Sequence, residues 1–90
     1  KSYYRVIKKN TNMATIRYFG IVAEVTQRNE EYIEIENMNV SEVWNLLYAK
    51  YDLRTLNARV ALNQRLVDLN SSITVNNNDE LALLPPFAGG

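Results

Sequence analysis

The sequence contains no cysteine and no histidine among its 90 residues. Their absence excludes thiolate nucleophiles, serine–histidine and cysteine–histidine catalytic pairs, iron–sulfur ligands and the common zinc ligands. Without cysteine there is no disulfide framework, which favours a reducing compartment. We therefore expect a cytoplasmic protein that lacks the side chains of most enzyme chemistry.

The chain also lacks a net charge and a long apolar run. Ten basic and ten acidic residues cancel, so the charge gives no sign of binding to nucleic acid or to an anionic membrane. No run approaches the roughly 18 apolar residues that cross a membrane, and we see no signal sequence. With 47% hydrophobic residues, we expect one small domain with its own core and neither nucleic acid nor a membrane as a partner.

The first twelve residues differ in charge from the rest. They contain four basic residues and no acidic residue, so residues 13–90 carry a net charge of −4. We interpret residues 1–12 as a flexible arm or a leader added for expression, with Met13 as a natural start. A short edge strand from Tyr3 to Ile7 and a basic arm that contacts nucleic acid are the alternatives.

Alternation of apolar and polar residues predicts two strands that pair in the first third of the chain. The inward faces are predicted to be Ala14, Ile16 and Tyr18 in the first strand and Glu31, Ile33 and Ile35 in the second. Gly20 interrupts the first strand, and residues 21–26 can form one helical turn. Because alternation spreads the neighbouring glutamates over two faces, we do not expect paired acid–base catalysis there.

A helix is predicted from Ser41 to about Asp52. The Ser41 hydroxyl can accept from a free amide of the first turn, and Glu42 lies where the helix dipole favours negative charge. Apolar residues at helical spacing predict the buried face: Val43, Leu46, Leu47 and Tyr51. Trp44 and Tyr48 are predicted to pack on the sheet as a helix flank, with an aromatic binding stripe as the alternative.

Three further strands are predicted in the second half. They run from Arg59 to Asn63, around Leu66 and Val67, and from Glu80 to Leu84 after an asparagine-rich turn at residues 76–79. Leu81 and Leu83 share one face of the last strand. One main helix on one face of a mixed sheet of four or five strands is an α+β, two-layer architecture.

The carboxyl terminus, Pro85-Pro86-Phe87-Ala88-Gly89-Gly90, is the most informative segment. The two prolines cannot donate to a sheet ladder, so they end the last strand and the tail leaves it extended. Six extended residues reach at most about 20 Å. Gly89 and Gly90 have no β-carbon, so the backbone can thread a narrow channel and present a free carboxylate. We predict a domain of residues 13–86 with a protruding tail of residues 87–90.

The run from Leu81 to Gly90, LALLPPFAGG, resembles the carboxyl terminus of the molybdopterin synthase small subunit, the MoaD family of sulfur carriers. Residues 16–20 (IRYFG), 63–67 (NQRLV) and 79–80 (DE) are similar to that family's first strand, its hairpin turn and its approach to the last strand. The resemblance covers residues 13–90 and implies a ubiquitin-like β-grasp fold. The family often has glycine where Gln64 and Asn78 stand, so we expect changed loops and the same function.

The resemblance implies a sulfur-donor role in molybdenum cofactor biosynthesis. An ATP-dependent adenylating enzyme (MoeB-like) would convert the Gly90 carboxylate to an acyl-adenylate, and sulfur would replace AMP to leave a thiocarboxylate. The large synthase subunit (MoaE-like), in a heterotetramer with this chain, would transfer that sulfur to a cyclic pyranopterin precursor. We expect no bound cofactor, no metal site and no enzyme activity of the chain alone, because the sequence has no Gly-rich phosphate loop and no metal-ligand cluster.

The resemblance also implies the site residues. Gly90 is the reacting terminus, preceded by Gly89, and the expected partner contacts are Phe19, Leu66, Leu84, Pro85, Pro86, Phe87 and Ala88. Packing of Phe19 beneath the helix is the alternative for that side chain. The alternative functions are a related carrier for thiamine, cysteine or tRNA thiolation, a ubiquitin-like protein modifier, and a plain interaction domain.

Overall fold

The structure is a computed structural model that describes residues 12–53 and 55–86. Residues 1–11 of the predicted arm, with its alternative edge strand, and the predicted tail lie outside these residues. The elements follow in the order β1 (Ala14–Tyr18), α1 (Gly20–Thr26), β2 (Glu30–Ile33), β3 (Met38–Asn39), α2 (Val40–Tyr51), β4 (Arg59–Leu62), β5 (Arg65–Val67), β6 (Thr74–Val75) and β7 (Glu80–Leu84). None of the described helices is long and apolar enough to cross a membrane.

Five strands form one mixed sheet in the order β2-β1-β7-β4-β5. The central strands β1 and β7 run parallel, and the other neighbouring pairs are antiparallel. Since β1 and β7 lie at opposite ends of the described chain, their parallel pairing needs a long crossover, which includes α2. The predicted pairing of the first two strands and the α+β architecture are confirmed.

The core lies between this sheet and α2. Side chains from the two central strands and the helix are almost fully buried: Ala14, Ile16, Tyr18, Leu81, Leu83, Val43 and Leu47. Each buried valine, leucine or isoleucine side chain stabilises the fold by roughly 1.5–3 kcal/mol. Trp44 and Tyr48 pack against the core, with their ring centroids 5.5 Å apart. The predicted inward faces of the first and last strands and the predicted helix flank are therefore confirmed.

The predicted amino-terminal cap of the main helix was wrong. Asn39, not Ser41, caps α2: its side chain accepts from the Glu42 N–H at 2.8 Å, and the Glu42 carboxylate accepts from the Asn39 N–H at 2.9 Å. This capping box satisfies two free donors at once. It forms because β3 holds Asn39 extended against Thr74 of β6, which leaves Ser41 inside the first turn.

Two other predictions need correction. β2 ends at Ile33 because β1 begins at Ala14, opposite Ile33; the Ile35 N–H instead donates to the side-chain oxygen of Asn77 at 2.8 Å. Leu46 of α2 was predicted to be buried and is 42% exposed. It lies at the margin of the apolar stripe, where periodicity does not distinguish a flank from the buried face.

The hairpin between β4 and β5 turns through Asn63 and Gln64, which have φ of 50° and 71°. A two-residue hairpin loop with a type I′ turn, one of the two types that match the right-handed twist of the strands, needs positive φ at both central residues. Asn78, in the turn before β7, has φ of 83°. Gln64 and Asn78 thus adopt the left-handed conformation at the two places where the resembled family often has glycine.

Candidate functional site

The base of the tail is fixed where β7 ends. Leu84 is the last strand residue, and Pro85 follows against Gly20, the first residue of α1. A β-carbon on Gly20 would lie 2.7 Å from Cγ of Pro85, and Gly20 also has φ of +57°. Only glycine meets both conditions without strain. The sequence identified Gly20 as a strand breaker and missed this contact; the signal was a glycine placed inside an otherwise glycine-free domain.

Three predicted partner contacts lie on the face of the sheet that α2 does not cover. Phe19 is extended, with φ −127° and ψ 151°, so it continues the alternation of β1 and points opposite Tyr18. It is 38% exposed and Leu66 is 61% exposed, whereas Leu84 is half-buried. Packing of Phe19 beneath the helix, the alternative considered above, is excluded by this placement.

Small residues join these side chains into one surface. Across the sheet, Leu66 pairs with Ala61 and Ala61 with Ala82. Neighbouring strands lie about 4.8 Å apart, so this row spans about 10 Å. Ala61 and Ala82 are themselves buried, with 6% and 9% of their surface exposed, so the solvent-accessible apolar surface comes from the larger side chains around them. We call Phe19, Leu66 and Leu84 the open-face patch. The sequence missed the two alanines, although their alternation with Val60 and Leu81 places them on this face.

Charged side chains border the open-face patch along β1. The Arg17 guanidinium lies 5.4 Å from the centre of the Phe19 ring. Its nitrogens lie 3.9 Å from a carboxylate oxygen of Glu30 and 3.6 Å from one of Glu80. Exposed ion pairs of this kind contribute at most about 1 kcal/mol each. Their effect is to hold the Arg17 side chain along the edge of the patch.

A cleft opens beside the base of the tail. It has a volume of about 550 Å³ and is lined by Ile21, Thr55, Leu56, Asn57, Pro85 and Pro86. Ile21 is 41% exposed, whereas Leu56 packs against the core. The cleft therefore has apolar walls and two polar residues, and the last described residue of the chain forms part of its wall.

A second cluster of ionisable groups lies on the helix side of the sheet around Glu31. The Glu31 side chain is 8% exposed and accepts four donors. They are the hydroxyls of Tyr18 and of Tyr51 (2.6 Å), the ammonium of Lys50 (3.2 Å) and the guanidinium of Arg28 (2.9 Å). These contacts join β1, β2, the end of α2 and the loop after α1.

The pKa shifts indicate that the Glu31 cluster is structural. Burial by itself raises the pKa of the Glu31 carboxyl, but the hydrogen bonds from Tyr18, Tyr51 and Lys50 outweigh it and lower the net pKa. Burial, followed by the hydrogen bond to Glu31, raises the pKa of the Tyr18 hydroxyl far above its ordinary value. At neutral pH the carboxylate stays ionised and the hydroxyl stays protonated. Neither group is poised for proton transfer.

The described residues hold no group of three or more histidine, cysteine, aspartate or glutamate side chains that could bind a metal ion.

The predicted turn at residues 76–79 is confirmed: the Asp79 carboxylate accepts from the Asn76 N–H at 2.8 Å and from the side-chain amide of Asn63 at 3.2 Å. The remaining predicted site residues, Phe87, Ala88, Gly89 and Gly90, lie outside the described part of the chain. The described structure therefore reaches the predicted tail only at its base, Pro85 and Pro86.

Two relatives share the name of the resembled family. The molybdopterin synthase sulfur carrier subunit of Anopheles gambiae is 31% identical over 72 residues, covering 77% of this chain and 79% of that protein. The protein of the same name from Dictyostelium discoideum is 28% identical over 86 residues, covering 89% and 99%. These matches confirm the resemblance to the molybdopterin synthase small subunit.

Solved structures with the same fold include a molybdopterin-converting factor complex and a SAMP1 protein. The complex of subunits 1 and 2 of the molybdopterin-converting factor from Helicobacter pylori contains a chain that is 28% identical, with a TM-score of 0.61, covering 87% of this chain and 99% of that one. The SAMP1 protein of Haloferax volcanii is 22% identical, with a TM-score of 0.65 and the same coverage. The expected ubiquitin-like β-grasp fold is confirmed. A family model matches residues 16–90, from the middle of β1 to the terminal glycine, and the chain belongs to the ThiS family.

Proposed function

We propose that this protein is the sulfur carrier subunit of a molybdopterin synthase, with Gly90 as the carrier terminus. The observation that carries the proposal is the family match, which extends through residue 90. Both relatives reported above are named molybdopterin synthase sulfur carrier subunits. A carrier needs a domain that docks and a tail that reaches, and the open-face patch lies directly beside the base of the tail.

The proposed chemistry begins at the terminal carboxylate. A carboxylate is a poor electrophile because oxide is a poor leaving group, so an adenylating enzyme first joins it to AMP from ATP and releases pyrophosphate. A sulfur nucleophile then displaces AMP, which leaves a thiocarboxylate on Gly90. The large synthase subunit uses that sulfur for a cyclic pyranopterin precursor and regenerates the carboxylate. In this scheme the chain supplies a tethered cosubstrate, and its partners supply the catalytic groups.

The proposed docking surface is the open-face patch together with Pro85 and Pro86. Phe19 and Leu66 are the exposed members of the open-face patch, and such side chains act as anchors when a partner removes them from water. The complex of subunits 1 and 2 from Helicobacter pylori supports a large subunit as the partner. We propose a heterotetramer of two small and two large subunits in the cytoplasm.

The decisive experiment is the intact mass of the protein after incubation with an adenylating enzyme, ATP and a sulfur donor. We expect a gain equal to the exchange of one oxygen for sulfur, localised to Gly90 by fragmentation. The matched control is a chain without Gly90, which should gain nothing. An unchanged mass with an adenylating enzyme that is active on its own carrier would contradict the proposal.

The specific pathway needs a second assay. Thiocarboxylated protein mixed with a large synthase subunit and the pyranopterin precursor should yield molybdopterin in single turnover. Sulfur loading without molybdopterin formation would favour a carrier for thiamine, cysteine or tRNA thiolation. Adducts that join Gly90 to lysines of other proteins in a lysate would favour the modifier function.

A further inference from the structure

We propose that the cleft beside α1 is a docking site for the aromatic ring of this chain's own Phe87, which holds the start of the tail against the domain until a partner takes the tail. The proposal commits to one occupant of the cleft. Its support comes from the position of the cleft, its chemistry and the rigidity of its walls, and the docking itself does not depend on the proposed function.

Position is the first argument. Pro86 lines the cleft, and the α-carbon of the next residue lies 3.8 Å from that of Pro86 across a trans peptide bond. Phe87 therefore begins at the wall of the cleft. A side chain tethered at such short range has a very high effective concentration for a site within its reach, so it has an advantage over any apolar group from another molecule.

Chemistry is the second argument. Ile21, Leu56, Pro85 and Pro86 provide apolar walls, and Thr55 and Asn57 are the polar lining residues. An aromatic side chain buries about 150–250 Å² when it is enclosed, and the volume of about 550 Å³ accommodates one ring. The 41% exposure of Ile21 is the kind of surface that such a ring would cover. The other three tail residues, with sequence Ala-Gly-Gly, have no comparable apolar group.

Rigidity is the third argument. Pro85 and Pro86 have fixed φ angles, and the close approach of Pro85 to Gly20 fixes the first of them on α1. On the opposite wall, the Leu56 N–H donates to the Leu53 carbonyl at 3.1 Å, and Leu53 is buried. Preformed walls reduce the conformational entropy that docking would otherwise lose. Docking then immobilises little beyond the Phe87 side chain.

Docking of Phe87 would shorten the tail. With the ring in the cleft, residues 88–90 extend at most about 10 Å, whereas the six residues from Pro85 extend at most about 20 Å. Entry of Gly90 into a deep active site would then require release of Phe87. This consequence, unlike the docking, rests on the proposed function: a partner would exchange its own contacts with Phe87 for those of the cleft.

The test is methyl NMR on the full chain, with Ile21 and Leu56 isotopically labelled. We expect upfield ring-current shifts of these methyl groups that disappear in Phe87→Ala, and nuclear Overhauser contacts from the Phe87 ring to the Ile21 methyl. Ala88→Gly, which changes the tail and keeps the ring, should leave both signals unchanged. Methyl shifts that are identical in the wild type and Phe87→Ala would overturn the proposal, and would leave the cleft to a partner's side chain.

A mixing experiment separates the chain's own ring from that of a second copy. Labelled Phe87→Ala is mixed with unlabelled wild type, and we expect the methyl signals to stay at their Phe87→Ala positions. Return of the wild-type shifts on mixing would show docking between copies and would also overturn the proposal. Neither experiment uses sulfur transfer, so its failure and the failure of the proposed function are distinguishable.

Discussion

The two faces of the sheet differ in whether their side chains find packing and hydrogen-bond partners within the chain. On the helix side, α2 covers buried aliphatic residues, and four donors surround the carboxylate of Glu31. On the other side, Phe19 and Leu66 remain exposed beside small alanines. The first face is complete within the chain, whereas the second leaves apolar surface for something outside it.

We therefore expect residues on the helix side to determine stability and residues on the open face to determine binding. Substitutions on the helix side remove contacts that the folded chain makes with itself, so they lower the free energy of unfolding. On the open face Phe19 and Leu66 are exposed, so we expect substitutions there to leave the fold intact and to change recognition. The experiments below test that separation, from the largest expected effect to the smallest.

Deleting Gly90, or replacing Gly89 by Val, gives the largest expected effect: complete loss of sulfur transfer with an unchanged free energy of unfolding. The deletion removes the reacting carboxylate from its place, and valine adds a side chain where a narrow channel admits only backbone. Single-turnover sulfur transfer and urea unfolding are measured on the same samples. A parallel loss of stability would show that the tail belongs to the folded core.

Replacing Glu31 by Ala is the strongest test on the helix side. It leaves the Tyr18 and Tyr51 hydroxyls and the Lys50 ammonium without their shared acceptor, and we expect a loss of about 3 kcal/mol in the free energy of unfolding. Sulfur transfer by the folded fraction should not change. The matched control is Glu34→Ala at an exposed position, with an expected change within about 0.5 kcal/mol.

Gly20 lies at the border between the two faces, and its replacement by Ala should affect both stability and binding. The added β-carbon meets Pro85, and the residue must keep a positive φ, so we expect a loss of about 2 kcal/mol. Because Pro85 is the base of the tail, binding to the large subunit should weaken as well. Urea unfolding and calorimetric titration measure the two effects; unchanged binding would mean that the position of Pro85 does not matter for docking.

Replacing Leu66 by Ala tests the open-face patch. Leu66 is 61% exposed, so we expect little change in stability and about tenfold weaker binding to the large subunit, or about 1.4 kcal/mol. Leu46→Ala is the matched control, because that leucine is also exposed but lies on α2, away from the open face. Equal effects of the two substitutions on titration would contradict the assignment of the patch.

The pH dependence of stability should report on the Glu31 cluster. The folded pKa of Glu31 lies below its ordinary value of 4.5, so its contribution is complete above that pH and is lost as pH falls through the lower, folded pKa. The pKa of Tyr18 lies above its ordinary value of 10.0, so its contribution is complete below that pH and is lost as pH rises through the higher, folded pKa. Urea midpoints from acid to alkaline pH should fall at both ends.

Glu31→Gln is the control for this pH dependence. It removes the titrating carboxyl, so the acid-side loss should become smaller than in the wild type. The alkaline loss should also become smaller, because the negative charge that helps to keep Tyr18 protonated is gone and the folded pKa of Tyr18 moves closer to its ordinary value. If the plots of urea midpoint against pH for the wild type and Glu31→Gln superimpose after correction for the overall loss of stability, groups other than Glu31 and Tyr18 cause the pH dependence.

The strands and the main helix were predictable because their apolar residues repeat at periods that only one kind of element satisfies. β1 and β7 alternate, and Val43 and Leu47 follow the helical period. The short pair β3 and β6 escaped prediction, since Met38–Asn39 and Thr74–Val75 are too brief to show a period. The Asn39 cap was missed for the same reason, although its spacing to Glu42 carries the capping-box signal.

The sequence alone determined which chemistry the chain lacks, which faces of the main strands are buried and where the prolines end the last strand, because each follows from residue type and local spacing. The tertiary structure alone decided that Phe19, Leu66 and Leu84 share one uncovered face, that Pro85 closes on Gly20, and that Glu31 gathers four donors. These facts join residues distant in the chain, and strand order and register place them together.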